Sequence, residues 1–418
     1  MCMDDKKRSF SYRQIFVIGT GFLAMMLVWT FYNAFMPLVL SEYIDSSALR
    51  GIIMGLDNLL AVLLIPWIGA WSDRISTPFG QRLPFIIVGM PLAALLFVLL
   101  PLVANISLGW LLIIDIAFLI AMTLYRAPVI ALMPDVTPQN KRSSANGIIN
   151  LLGGIGAMIA LFGLSAVYDV SRTFAFGIGS IVLITVFLLL FWRIDRQPPY
   201  AEKASEASEE SQSLRVLTKA LKALINVDFR GPLLILSGIF FYFIGYSGIE
   251  AQFTTFAVGY LQLSSGEAGT TLGIFSLSFV LFAVPAGFLG NRFGKSRMMQ
   301  LGLAILIVLF SVVPFLPNVL SIQILLFFAG FGWALVNVQA YAFVADLGGK
   351  AQIGYMTGLY YFFSMASSLI APGLAGLFMD LFTLPSLFFV ASISFGLGFV
   401  FLNAGAKKTT KSGTQVEA

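Results

Sequence analysis

The 418-residue chain contains no histidine and a single cysteine, Cys2. One cysteine cannot close an intrachain disulfide, and without histidine no Cys/His ligand set for zinc or haem can form. Histidine-based acid–base catalysis is excluded as well, and neither a metal nor an organic cofactor is expected. Charge is also scarce: Lys, Arg, Asp and Glu make up 11% of the chain, against roughly 25% in a soluble domain. What fills the space is apolar, at 58% of residues. With about 20 apolar residues needed per crossing, the chain has material for around a dozen membrane spans and little for a folded soluble domain, which argues against most soluble enzymes; no enzyme activity is expected. The short alternating segments of a membrane β-barrel are missing, while uninterrupted apolar runs exceed the length of one crossing. The expected fold class is all-α integral membrane, with the lipid bilayer as its first partner.

Polar or Gly/Pro-bearing breaks predict twelve helices. The first six run from Ile15 to Leu40, Gly51 to Trp71, Leu83 to Ala104, Leu108 to Met133, Ala145 to Val167 and Phe174 to Trp192. The last six run from Leu233 to Tyr260, Gly269 to Leu289, Met298 to Leu316, Leu320 to Val344, Ile353 to Phe378 and Leu384 to Leu402. The chain thus reads as an N-terminal six-helix bundle (1–192), a linker (193–232) and a C-terminal six-helix bundle with a tail (233–418). Lys6, Lys7, Arg8 and Arg13 precede an apolar run too long for a signal peptide, so the first helix is read as uncleaved.

Placing the N-terminus in the cytoplasm puts 22 of the 25 Lys and Arg in inner segments, leaving Arg50, Arg126 and Arg172 elsewhere. That asymmetry is a positive-inside pattern. It predicts a multi-pass protein of the plasma (inner) membrane with both termini and the linker cytoplasmic, and it explains the net charge of +5 without nucleic acid. In the linker, Glu202, Glu206, Glu209 and Glu210 are followed by Leu214, Leu217, Leu221 and Leu224 at helical spacing, with Arg215, Lys219 and Lys222 on other faces. This is the pattern of a surface-lying amphipathic helix or of a solvated helical connector.

The halves repeat each other. After the second helix the chain reads Gly69, Ala70, Trp71, Ser72, Asp73, Arg74, and after the eighth Gly287, Phe288, Leu289, Gly290, Asn291, Arg292, with Gly, Asp/Asn and Arg in register. Ala131 to Val136 (ALMPDV) is echoed by Ala342 to Leu347 (AFVADL) after helices four and ten. Parallel repeats of six helices are the architecture of major facilitator transporters, with the substrate near mid-membrane. The stretch Gly290 to Ser296 imitates a phosphate loop, but it has three residues between its glycines where four are required and follows a lipid-length helix. No nucleotide is expected, so any uphill transport must draw on an ion gradient.

Three stretches are more specific. GAWSDRISTPFGQRLPF (Gly69 to Phe85), ALMPDVTPQNKRSSANG (Ala131 to Gly147) and GLYYFFS (Gly358 to Ser364) resemble the sucrose:proton symporters and the wider glycoside-pentoside-hexuronide:cation symporters. The resemblance implies a secondary transporter of a sugar or glycoside, working by alternating access with a proton, or alternatively sodium, as coupling ion. Plant-type sucrose symporters carry an arginine where this chain has Ile130; here Arg126 lies about one turn earlier. An exporter of drugs or metabolites by proton antiport is the rival reading, since 40 phenylalanines suit a large apolar cavity.

An aspartate at a helix end can cap a neighbouring helix and pair with arginines. That makes Asp73, Arg74, Arg82 and Asp135 gate candidates, with Asn291 and Arg292 as the mirror pair; the alternative is that these charges only fix topology. An ionisable residue at a helix centre costs roughly 2.5–3.5 kcal/mol on insertion scales, which singles out Asp57, Arg126 and Glu250 for ion coupling, with Asp57 and Arg126 as a candidate pair. Asp115 and Asp380, near outer helix ends, read as solvated. A sugar needs amide, carboxylate or guanidinium partners and an aromatic platform. Trp29, Tyr32, Asn33, Asn58, Arg126, Asn146, Asn150, Tyr242, Tyr246, Gln252, Asn337, Gln339, Tyr360 and Tyr361 supply that inventory, although helix packing through interhelical hydrogen bonds would use the same residue types.

Overall fold

The computed structural model describes residues 11–75, 77–138, 141–196, 198, 200, 230–316, 318–347 and 349–411. Among these, all regular structure is helical. The helices are α1 (Tyr12–Leu40), α2 (Ser47–Arg74), α3 (Leu83–Val103), α4 (Leu108–Val136), α5, α6 (Arg172–Arg193), α7 (Arg230–Gly259), α8 (Ser265–Phe293), α9 (Lys295–Val312), α10 (Val319–Leu347), α11 (Gly349–Leu381) and α12 (Ser386–Lys411). α5 runs as Arg142–Met158, a π-helical turn Ile159–Leu164, and Ser165–Val170, while α9 ends in a 3-10 turn, Val313–Phe315. All twelve contain a stretch long and apolar enough to cross a membrane. In hydrocarbon every backbone amide must be satisfied within the chain, so long apolar segments have the helix as their one open-chain solution.

Several ends are closed by side chains. Ser107 accepts from the Trp110 amide at 3.4 Å, Ser171 from Phe174 at 3.3 Å, and Ser264 with Glu267 forms a reciprocal capping box at 3.1 and 2.9 Å. The turns after α2 and α8 each hold a glycine at positive φ, Gly80 at 89° and Gly294 at 94°, a conformation that costs glycine little. α2 starts at Ser47 and α12 continues to Lys411, both beyond the apolar limits read from sequence, because backbone bonding carries on through polar residues at a span's edge. The linker leucines Leu214 to Leu224 lie outside the described residues.

The chain divides into two compact units: residues 1–31 with 63–211, and residues 32–62 with 212–418. α1 and α2 are therefore each divided between the two units. In the first unit the fully buried rings of Phe31, Phe97, Phe118 and Phe176 form the core, with Phe97 4.6 Å from Phe176 and 5.4 Å from Phe118. The Ser180 hydroxyl donates to the Ala94 carbonyl at 2.7 Å, tying α6 to α3. In the second unit Phe256 meets Phe388 edge-on at 4.8 Å, and Phe310 stacks on Phe395 at 5.8 Å. α7 and α12 touch backbone to backbone: a Cβ on Gly238 would lie 3.0 Å from the Gly398 carbonyl oxygen, so small residues set the approach.

Candidate functional site

In the first unit the turn after α2 is built around one guanidinium. Arg82, just before α3, donates through Nε to Asp135 Oδ2 at 2.9 Å and through its terminal nitrogen to Ser72 Oγ at 2.6 Å, and it forms an ion pair with Asp73. Asp135 sits in the last turn of α4, where a carboxylate opposes the helix dipole; Arg82 supplies the opposing charge. Burial works against the Arg82 charge, but the hydrogen bond and charge of Asp135, with Asp73 behind them, outweigh it and hold its pKa above the ordinary guanidinium value. Thr77 closes the turn on Gly80 at 2.7 Å. Arg74, by contrast, is exposed.

The second unit holds an ion pair that the sequence reading did not name. Asn291 and Arg292 lie exposed at the end of α8, with the Arg292 guanidinium over the Phe293 ring at 5.3 Å. Among the described residues, Lys295 pairs with Asp346. Asp346 is the aspartate of AFVADL, the echo of ALMPDV that carries Asp135. That echo was the available signal, and Lys295 takes the role of Arg82.

Among residues within the spans, the second unit gathers most. Tyr246 stacks face to face on Trp333 at 4.0 Å and 2°, and its hydroxyl donates to the Glu250 carboxylate one turn on. Phe243 and Tyr242 approach Trp333 at 5.7 and 5.9 Å, and Tyr360 approaches Phe243 at 6.3 Å. Asp57 is buried; its Oδ1 accepts from the Asn58 amide and carboxamide, and it lies within electrostatic range of Glu250. Trp333 was missed by sequence reasoning because a tryptophan in an apolar run carries no polar signal, although one away from the membrane interfaces, where the residue is enriched, is itself informative.

Other residues of the inventory are committed elsewhere. Gln252 is fully buried and its amide donates to the Ser47 and Pro372 carbonyls at 3.0 and 3.1 Å. Gln339 donates to the Ala286 carbonyl at 2.6 Å. Both serve packing in this structure. Tyr32 is fully buried, Asn33 and Asn337 are partly buried, and Tyr361 is exposed. In the first unit the Arg126 guanidinium lies over the Trp29 ring at 5.4 Å, and exposed Asn150 donates back to the Asn146 carbonyl at 2.9 Å. Asp57 and Arg126 belong to different units. Asp115 is fully buried, and Asp380, though exposed, accepts three hydrogen bonds; neither is merely solvated, contrary to the sequence expectation.

The family model of the Major Facilitator Superfamily matches residues 18–261 and again residues 235–416. The chain belongs to the major facilitator superfamily. It is a multi-pass membrane transporter, and the double match agrees with the internal repeat. Multidrug resistance protein 2 of Bacillus subtilis (strain 168) is 23% identical over 395 residues, 92% of each chain. Tetracycline resistance protein, class B, of Escherichia coli is 25% identical over 346 residues, 81% of each. Among solved structures, a point mutant of the nucleoside transporter NupG superposes with a TM-score of 0.75 at 15% identity, covering 94% of this facilitator and 99% of that chain. A POT family transporter in complex with 5-aminolevulinic acid gives 0.74 at 14% identity, covering 95% and 97%. Likenesses at such identities establish the fold.

Proposed function

We propose that this facilitator is a proton-coupled symporter of a sugar or glycoside in the plasma (inner) membrane, with both termini and the linker cytoplasmic. The observation that carries the reading is the constellation in the second unit: an aromatic platform, Tyr246 on Trp333, joined by a hydrogen bond to the Glu250 carboxylate, with the Asp57/Asn58 pair in electrostatic range. Sugars present flat C–H faces to rings and hydroxyls to carboxylates and amides. Within the first unit, Arg126 is held over Trp29, which makes it a further guanidinium candidate for sugar hydroxyls. Asp57 on α2 and Glu250 on α7, within electrostatic range of each other, are the candidate proton carriers, with Asp57 as the main one. One charge moved through 100 mV is worth roughly 2.3 kcal/mol, about 50-fold accumulation for one proton per sugar.

Asp57→Asn mimics the protonated state. It is expected to abolish concentrative uptake of labelled sugar while sparing exchange, which needs no net proton movement; Arg126→Ala is expected to remove both. Intact, pH-dependent accumulation by Asp57→Asn would move the proton site to Glu250. Tags at the N-terminus, near residue 208 and at the C-terminus are expected to be unreachable from outside intact cells, and outside labelling of any one would overturn the orientation.

A second reading, export of drugs or metabolites by proton antiport, is favoured by the names of the relatives at 23–25% identity. Resistance of expressing cells to cationic dyes, without sugar uptake, would select it.

A further inference from the structure

The start of α2 is completed by a residue more than 300 positions away in sequence. A helix leaves its first amides without intrahelical partners. Here Ser46 accepts from the Leu49 amide at 3.2 Å and its carbonyl accepts from the Arg50 amide at 3.1 Å, the ordinary pattern of an N-terminal cap. The two remaining amides point at another helix: Asp380, in the last turn of α11, accepts from Ser47 N at 2.8 Å and from Ala48 N at 3.0 Å, and from the Ser46 hydroxyl at 2.7 Å. The carboxylate thus closes the amide account of α2 and sits at the positive end of its dipole.

Below this cap the two helices run in backbone contact. Any Cβ on Gly51 or Gly55 would collide with the Pro372 or Leu369 carbonyl, and one on Gly376 with the Ser47 carbonyl. Gln252 of α7 bridges both helices through the Ser47 and Pro372 carbonyls. Buried Arg50 donates to Ser47 Oγ at 2.9 Å, within electrostatic range of Asp380 and Asp45. All of these residues belong to the second unit.

We infer that Asp380 is a gating latch: its carboxylate locks the N-terminal end of α2 to the C-terminal end of α11, and the transport cycle must break this lock. The seam beneath it is backbone against backbone at the glycines, with Ile52 on Gly373 and the Gln252 amide across both helices, and the directional hydrogen bonds to Asp380 close its outer end. On the proposed orientation these ends face outward, so the latch holds the outer side closed; the inference does not depend on which solute is carried.

The test uses spin labels at exposed Tyr43→Cys and Phe382→Cys, which flank the latch, in the full chain with Cys2→Ser. The unmodified latch is expected to give mainly a short distance. Asp380→Ala is expected to raise the ratio of long to short distance by about tenfold, the size of a lost charged cap, and Asp380→Asn, which keeps one acceptor without the charge, by less. An unchanged ratio in both variants would overturn the latch. As a second arm that does not rely on the alanine variant folding, Ser46→Cys with Asp380→Cys is bridged by a short bis-thiosulfonate reagent. Transport of whichever substrate the carrier accepts is expected to stop on bridging and return on reduction. Undiminished transport by the bridged protein would show that these ends need not separate. Failure of the sugar reading would leave both arms standing, since neither measures selectivity.

Discussion

The turn after α2 and the turn after α8 stem from one repeated sequence, yet they are held by different forces. In the first, Arg82 is 12% exposed and serves Asp73, Asp135 and Ser72 together. In the second, among the described residues, Lys295 pairs with Asp346, and the aspartate is 56% exposed. A guanidinium's planar fork reaches three acceptors at fixed angles, whereas an ammonium is a point charge. The second turn is instead secured beneath its surface, where Gln339 of α10 donates to Ala286 of α8 and packs on Gly290. Repetition has kept the position of the acidic residue while moving the burden from charge to packing.

That contrast can be broken by experiment, beginning where the largest effect is expected. Arg82→Ala leaves Asp135 buried beside Asp73 without its cation. A loss of about 2–3 kcal/mol is expected, less than for a fully enclosed pair, read as a lower unfolding temperature in detergent, with uptake reduced at least tenfold at equal protein content. Arg82→Lys should fall between, because one ammonium cannot reproduce the fork.

Gly290→Ala comes next. Its methyl would enter the space of a carboxamide pinned by the Ala286 carbonyl, and overpacking of this kind costs about 1–3 kcal/mol. Thermal unfolding checks it, and a fully tolerated alanine would remove the packing half of the contrast. Lys295→Ala should cost no more than about 1 kcal/mol, the range of exposed ion pairs, and change uptake less than twofold. If it harms the protein as much as Arg82→Ala does, the two turns are equivalent after all.

The smallest expected effect is that of pH. The Arg82 pKa is raised by folding, so the stability it contributes is complete below the unfolded guanidinium value and is lost only in stronger alkali. Between about pH 7 and 10 the stability difference between the Arg82→Ala and unchanged proteins should stay constant; a decline with rising pH would mean that another group titrates in the cluster.

The spans were legible in sequence because lipid leaves an apolar segment so few choices, and the repeat was legible because Gly, Asp/Asn and Arg recur in register. The site was legible only in part. Gln252 and Gln339 have the chemistry of a sugar ligand, but their amides are taken by carbonyls on other helices, and sequence spacing carries no trace of such partners. Ser46, Ser47 and Arg50 read as loop, since the carboxylate that makes their segment helical arrives from Asp380. Trp333 was hidden among apolar neighbours and emerged only when Tyr246 was found lying on it.

The wide turn in α5 bears on how the chain tolerates changes in its length. At Ile159–Leu164 the spacing of backbone partners lengthens to five residues, with the Ser165 amide and hydroxyl both directed at the Ala160 carbonyl, the latter at 3.2 Å. Such a turn absorbs one surplus residue inside a helix while leaving the flanking segments aligned. Deleting one residue there is therefore expected to yield a plain helix with Ser165–Val170 still facing as before. The same deletion in the middle of α3 would rotate everything beyond it by about 100°. A library of single-codon deletions should find its tolerated position in this span, at a place where hydrophobicity alone gives no reason to expect one.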